Sequence, residues 1–159
     1  MRTRLLLALL WVGASALWAQ KYTGPRPPQP DMLYLVHADN LVPTDATDAK
    51  QESKKNETVF TIAGGSATAR TPLAEPIFIM QSDKIDPEHL ELYKVEVKNG
   101  HREVTMAVKR TRGGPRALRL SVTRLEKGLY RIEASETLEN GEYSISPSDS
   151  NRVFCFQVY

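Results

Sequence analysis

The three histidines are the side chains best suited to acid–base or metal chemistry near neutral pH. His37, His89 and His101 lie far apart in the 159-residue chain and form no H-x-H, H-x₃-H or HExxH spacing. His101 and Glu103 flank a predicted hairpin tip, where an exposed turn is a simpler interpretation than half of a weak metal site. The sequence also contains no G-x-S-x-G elbow and no phosphate-binding loop. We therefore predict no catalytic, metal or cofactor site, and the protein is not expected to be an enzyme.

One cluster of basic residues could bind an anionic partner. Five cations surround a Gly-Gly-Pro step between positions 109 and 119: Lys109, Arg110, Arg112, Arg116 and Arg119. A basic loop of this kind can contact an anionic polysaccharide, a lipid headgroup or an acidic protein. The solvated end of a β-hairpin is the competing interpretation, because such charge clusters are common on protein surfaces.

The stretch LENGEYSIS contains a tyrosine whose role is open to two interpretations. It places Leu138, Gly141 and Tyr143 in an L-x-x-G-x-Y pattern just before a strand-like run. No lysine, arginine or histidine lies within five residues of Tyr143 to activate its hydroxyl, and Glu142 should point to the opposite face of a strand. We therefore predict a structural role, in which the hydroxyl bonds a backbone group a few residues upstream and Gly141 adopts a positive φ.

A second tyrosine occupies the same place in a similar stretch. LEKGLYRIEAS at 125–135 aligns with LENGEYSISPS at 138–148 at a shift of thirteen residues. One such echo is too little for a repeat architecture, which needs three or more units. Two similar turns that each lead into a strand explain it better. We expect the hydroxyl of Tyr130 to lie nearer to water than that of Tyr143.

The pattern of Leu138, Gly141 and Tyr143 resembles the tyrosine corner of immunoglobulin-like and fibronectin type III-like sandwiches. The ending, GEYSIS followed by VFCFQVY, also resembles a group of exported bacterial proteins of unknown function. The resemblance covers mainly residues 125–159. It implies an immunoglobulin-like Greek-key sandwich and carries no implication about activity.

Short runs of alternating polar and apolar residues predict an all-β domain over residues 31–159. About seven to eight antiparallel strands with short turns, and no helix-length period, favour a β-sandwich. The predicted strands are 32–38, 58–65, 76–82, the two arms of a hairpin at 92–110, 117–125, 128–135, 141–146 and 152–159. Asn99-Gly100 is typical of a type I′ hairpin turn, and Asp86-Pro87 of the start of one helical turn. Residues 43–57 are almost free of large apolar side chains, so we predict a long polar loop there.

The first thirty residues are predicted to precede the domain. Residues 1–19 have the positive start, short apolar centre and small-residue end of a secretory signal peptide, with cleavage after Ala16 or, preferably, Ala19. Residues 20–30 contain four prolines and should form an extended arm. The apolar stretch is too short for a stable membrane anchor, and no later segment is long enough to span a bilayer.

Removal of residues 1–19 would leave a chain without net charge. The full chain has 21 basic and 19 acidic residues, and two of the arginines but no acid lie in that segment, which leaves 19 of each. A neutral domain gives no electrostatic argument for nucleic-acid binding. Cys155 is the only cysteine, so an internal disulfide is impossible. It lies in an apolar run and is expected to be a buried, inert thiol.

These patterns together predict an exported, non-catalytic binding or structural module in the periplasm or outside the cell. Its partner would be a protein or an anionic component of the cell envelope. Two alternatives stay open. The chain could be an assembly subunit that adds its first strand, 32–38, to the sheet edge of a neighbour. It could also be a small secreted hydrolase, which would need a pocket that brings one histidine close to a carboxylate.

Overall fold

The computed structural model describes residues 21–107 and 115–159, and in these ranges the chain is all-β, with antiparallel sheets. The predicted signal peptide therefore lies outside the described residues. The strands are β1 Met32–His37, β2 Asn40–Pro43, β3 Asp45–Asp48, β4 Lys50–Ser53, β5 Glu57–Ile62, β6 Arg70–Thr71, β7 Ile77–Gln81, β8 Leu90–Lys98, β9 His101–Ala107, β10 Leu120–Glu126, β11 Leu129–Ala134, β12 Gly141–Pro147 and β13 Arg152–Val158.

Two sheets pack face to face, as in a β-sandwich. The smaller sheet has five strands in the order β10-β11-β7-β1-β2, and all of its pairings are antiparallel. The larger sheet has the order β3-β13-β12-β8-β9-β5-β4, and the short strand β6 pairs with β13 in parallel. Apolar side chains from both sheets meet between them. Phe78 of β7 contacts Phe156 of β13 edge to face, with ring centroids 4.9 Å apart.

The larger sheet closes on itself. Its two edge strands, β3 and β4, are consecutive in the chain with only Ala49 between them. Ala49 continues the pairing, since its N–H donates to the carbonyl of Asn151 at 2.8 Å. The segment 45–53 is therefore one bent strand whose first half pairs with β13 and whose second half pairs with β5. This segment therefore joins the two ends of the strand order.

A second apolar core fills the inside of the closed sheet. Side chains of successive strand residues point to opposite faces, so β12 and β13 contribute to two cores at once, and most of their residues are buried. Phe154 and Phe156 pack between the sheets, whereas Val153 and Cys155 point inside the closed sheet. The inner core also includes Ala49, Ile62, Ala67, Val95 and Val104, with Phe60, Tyr93 and Met106 at its margin.

The polar loop predicted at 43–57 is wrong, and so is the count of seven to eight strands. Strands β3 and β4 occupy most of this range, and the structure has thirteen strands in its described part. The exposed side chains of this segment are polar, so its sequence lacks the apolar residues by which a strand is usually predicted. Its buried apolar side chains are small: Ala46 packs against the core between the sheets and Ala49 belongs to the inner core, while all four residues of β4 are exposed.

Two local predictions are confirmed. Asn99 and Gly100 have φ of 49° and 78° and join β8 to β9, as a type I′ turn requires. Asp86 caps the single 3₁₀ turn Pro87–His89, and its carboxylate accepts a hydrogen bond from the N–H of Glu88 at 3.0 Å.

The described part of the proline-rich arm forms neither helix nor strand, and it lies against the smaller sheet. Arg26 forms an ion pair of 2.7 Å with Glu126 at the end of β10. The N–H of Tyr22 donates to the same carboxylate at 2.9 Å. Pro27 is buried, so the arm is part of the folded surface.

Candidate binding site at the open end of the closed sheet

The inside of the closed sheet is sealed at one end by a buried ion pair. Arg102 of β9 and Glu142 of β12 are only 3% and 5% exposed, with Nη1 and Oε2 3.7 Å apart. Arg102 also donates to the carbonyls of Ala63 and Gly64, both at 2.9 Å. Glu142 accepts from the hydroxyl of Ser66 at 2.8 Å, and the N–H of Ala67 lies 3.0 Å from its other oxygen. The segment 63–67 therefore covers this end and satisfies most of the buried polar groups.

The opposite end holds a small pocket, which we call the inner pocket. It lies where β8 begins and β12 ends, since Leu90 is paired with Pro147. Its volume is about 90 Å³, and its walls combine apolar residues of the inner core with serine hydroxyls. The largest side chains that line it are Phe60, Tyr93 and Met106.

Tyr93 and Glu91 form a hydrogen-bonded pair in the wall of the inner pocket. The phenol donates to Oε2 of Glu91 at 3.0 Å. Burial, together with the neighbouring carboxylate, raises the pKa of Tyr93 to about 12, so the phenol keeps its proton at neutral pH and can donate a hydrogen bond. Ser144 and Ser146 of β12 face these two residues across the strand pair. The pocket thus offers one carboxylate and several hydroxyls on otherwise apolar walls.

A larger polar cleft adjoins the inner pocket. Its volume is about 460 Å³, and the turn 147–151 between β12 and β13 contributes to the walls of both. The other wall of the cleft is the segment 84–89, in which His89 Nδ1 lies 3.0 Å from Asp86 Oδ2. Ser148 links the two walls, since its N–H donates to the carbonyl of His89 at 3.0 Å. We call this depression the outer cleft.

The geometry around Tyr143 agrees with the predicted structural role. Its side chain is 1% exposed, and its hydroxyl donates to the carbonyl of Glu139, four residues upstream, at 2.8 Å. The ring stacks on Phe156 with centroids 5.5 Å apart. Burial raises the pKa of Tyr143, and nearby Lys94 opposes this rise. Sequence reasoning missed Lys94, which strand pairing places directly opposite Tyr143.

Leu138 and Gly141 are the other two residues of the predicted pattern. Leu138 is 4% exposed within the core between the sheets, and its N–H donates to the carbonyl of Ala74 at 2.7 Å. Gly141 has a φ of 157°, and a Cβ at this position would lie 3.0 Å from Cε of Lys94. These three residues hold the entry to β12, and none of them lines the inner pocket or the outer cleft.

The structure describes only part of the predicted basic cluster. Lys109, Arg110 and Arg112 lie outside the described residues. Arg116 and Arg119 are exposed, and both contact the carboxylate of Glu136. Arg116 forms an ion pair of 2.8 Å with it, and the backbone N–H of Arg119 donates at 2.9 Å. The hydrogen bond from Arg119 is the largest influence that lowers the pKa of Glu136. The charge of Arg116 is therefore partly neutralised.

The structure does not bring the three histidines together. His37 is exposed at the end of β1, and His89 lines the outer cleft. His101 stands at the start of β9 with Nε2 2.7 Å from Oε1 of Glu103. Within the described ranges, no group of three or more His, Cys, Asp or Glu side chains is arranged to hold a metal ion.

Cys155 is a buried free thiol, as predicted. It is fully covered inside the closed sheet. Burial raises its pKa to about 11, so the reactive thiolate is scarce at neutral pH.

Sequence reasoning missed both the inner pocket and the outer cleft. Their residues come from several distant segments, and the only local signal was the Asp86-Pro87 helical turn. Comparisons with family models, with curated proteins and with solved structures found no match. Among the described residues, no helix has the length and hydrophobicity needed to cross a membrane.

Proposed function

We propose that the protein is an exported, non-catalytic binding module with an immunoglobulin-like fold, and that it binds its partner at the end that carries the inner pocket and the outer cleft. The export part of the proposal rests on the signal-peptide pattern of residues 1–19. The partner is a protein or an anionic component of the cell envelope.

The order of the strands supports the immunoglobulin-like assignment. In such sandwiches, one sheet has the order A-B-E-D, and the other is built on C-F-G and extended in variable-type domains. Here β1-β7-β11-β10 and β9-β8-β12-β13 correspond to these two orders, and Tyr143 stands at the start of the strand equivalent to F. On this interpretation, β2 to β6 lie between the first two strands, and β3, β4 and β5 close the second sheet.

One observation supports this end of the sheets as the binding surface. The inner pocket and the outer cleft lie side by side at one end of the sheets and share the turn 147–151. In variable domains, loops at one end of the sandwich bind the ligand, and these include the connections B–C and F–G. The segments 82–89 and 147–151 are the equivalents of those connections under the proposed assignment.

Partner capture from the native cell envelope tests the proposal with two bulky variants. Ser148→Trp places an indole at an exposed position of both depressions, and Lys98→Trp places one near the hairpin tip at the opposite end of β8. We expect wild type and Lys98→Trp to retain the same partner, and Ser148→Trp to lose it. If Lys98→Trp loses the partner and Ser148→Trp retains it, the binding surface lies at the other end.

The assembly alternative would need a different strand from the one predicted for it. Strand β1 is already paired on both sides, with β2 and β7. Among the described strands, β2 and β10 are the edges of the smaller sheet, so a neighbour could be added there without opening the fold.

The hydrolase alternative gains one specific observation. His89 and Asp86 form a close pair in the outer cleft, beside Ser148 and Ser150. Their side chains are 71% and 58% exposed, whereas an acid–base pair is usually held in place by its surroundings. Ester hydrolysis that disappears in His89→Gln would favour this alternative over the binding module.

A further inference from the structure

The inner pocket contains a single charged side chain. Glu91 is half-buried in its wall, and no lysine, arginine or histidine of the described chain lines the pocket. The described ion pairs leave Glu91 without a cation, whereas Glu96 on the same strand is paired with Lys98 at 2.6 Å. The phenol of Tyr93 supplies one hydrogen bond to Glu91, and a carboxylate can accept about four.

The remaining walls suit a short alkyl group. Phe60, Met106 and the ring of Tyr93 line the pocket together with smaller apolar side chains. A cavity of about 90 Å³ corresponds to the liquid volume of about three water molecules. It therefore accepts the tip of a chain of a few non-hydrogen atoms, and it is far smaller than the usual site for a drug-sized molecule.

We propose that the inner pocket binds an alkylammonium group. The ammonium would be held by the carboxylate of Glu91 and by the hydroxyls of Ser144 and Ser146, with the face of an aromatic ring as a further attraction. The methylenes would contact Phe60 and Met106. This inference rests on the proposed binding function and names the ligand chemistry of the inner pocket; of the two partner classes proposed there, it favours a protein over an anionic component.

Other ligand chemistries fit the pocket less well. A neutral alkyl group would cover the Glu91 carboxylate without compensating its lost hydration. A carboxylate or phosphate would meet a like charge in a half-buried site. An alkylammonium places its charge and its methylenes each against a complementary part of the wall.

Binding of three small probes to the wild-type protein tests the charge preference. n-Butylammonium, 1-butanol and butyrate have similar size and differ in charge. In titrations followed by NMR at pH 7, we expect n-butylammonium to shift the signals of Tyr93 and Met106. 1-Butanol should need a concentration at least about tenfold higher to produce the same shifts. Butyrate should produce none. Such a ratio corresponds to one ion pair in a partly screened site. Equal binding of the alcohol and the amine would overturn the proposal.

A matched pair of variants locates the charge. Glu91→Gln keeps the size of the side chain and should weaken n-butylammonium binding at least about tenfold. Glu96→Gln changes an exposed residue of the same strand and should leave it unchanged. Unchanged binding in Glu91→Gln would also overturn the proposal.

Two further probes separate the sources of the ammonium group. Nα-acetyl-lysine methylamide represents a lysine side chain of a polypeptide, and n-butylammonium represents a free amine. Tighter binding of the lysine derivative indicates a protein partner, and tighter binding of the simple amine indicates a small-molecule ligand. If Ser148→Trp loses the envelope partner but no amine binds, only the alkylammonium inference fails. If the amines bind and Ser148→Trp retains the partner, the proposed partner surface fails instead.

Discussion

Tyr143→Phe removes one hydroxyl and leaves the rest of the corner in place. The ring keeps its stack on Phe156, so the change isolates the hydrogen bond to the carbonyl of Glu139. Loss of a partner from a buried acceptor costs about 1–3 kcal/mol. The Glu139 side chain is 85% exposed, so water can reach part of this region and compensate the carbonyl. We therefore expect a loss of about 1–2 kcal/mol in the free energy of unfolding.

Urea unfolding followed by far-ultraviolet circular dichroism measures this loss. With a slope of about 2 kcal/mol/M, which is usual for small proteins, the midpoint should fall by about 0.5–1 M with the slope unchanged. Tyr130→Phe is the matched control, because Tyr130 is only half-buried and lines a shallow surface depression. We expect it to cost less. A larger loss in Tyr130→Phe would place the structural corner there, and no loss in Tyr143→Phe combined with lost partner binding would refute the structural role.

Two further predictions concern groups inside the closed sheet. Arg102→Met leaves the buried carboxylate of Glu142 without its cation and should lower the free energy of unfolding by about 3–5 kcal/mol. Adding Glu142→Gln should recover part of that loss. Additive effects in a double-mutant cycle would show that the two side chains are not coupled. The thiol of Cys155 and the phenol of Tyr93 are neutral when protonated, and their raised pKa values of about 11 and about 12 mean that the native state retains their protons more tightly. Stability should therefore fall as pH rises from about 9 through 11 for the thiol and from about 10 through 12 for the phenol, and Cys155→Ala should flatten the lower part of this decline in urea unfolding measured at each pH.

Strands in which polar and apolar residues alternate could be predicted from the sequence, because a strand with one polar and one apolar face has a hydrophobic period of two residues. The β8–β9 hairpin and the start of β12 are examples, and turn residues such as Asn99 mark their ends. Strands β3 and β4 could not be predicted in this way. The only apolar residues of the segment 45–53 are Ala46 and Ala49, and all four residues of β4 are exposed. Nothing in such a segment distinguishes a strand from a polar loop until its partners are known.

The candidate site was less predictable than the fold. Glu91, Tyr93 and Met106 alternate with residues of the opposite face, which is the ordinary pattern of any half-buried strand. Their convergence depends on pairing with distant segments, since β8 pairs with β12 and β9 pairs with β5. By contrast, the contact of Tyr143 is local, since its hydroxyl reaches only four residues back along the chain, and a local motif was enough to predict it.

The two ends of the closed sheet each carry a glutamate, and they differ in how many donors and cations surround its carboxylate. Glu142 is compensated by Arg102 and by donors from 63–67, and that segment covers this end. Glu91 stands at the other end with one hydroxyl donor and open space beside it. A half-buried carboxylate that has no cation among the described residues loses part of its hydration, and a cationic ligand would compensate that loss. Glu142 is therefore more fully paired than Glu91, and this difference supports the proposed binding site at the open end.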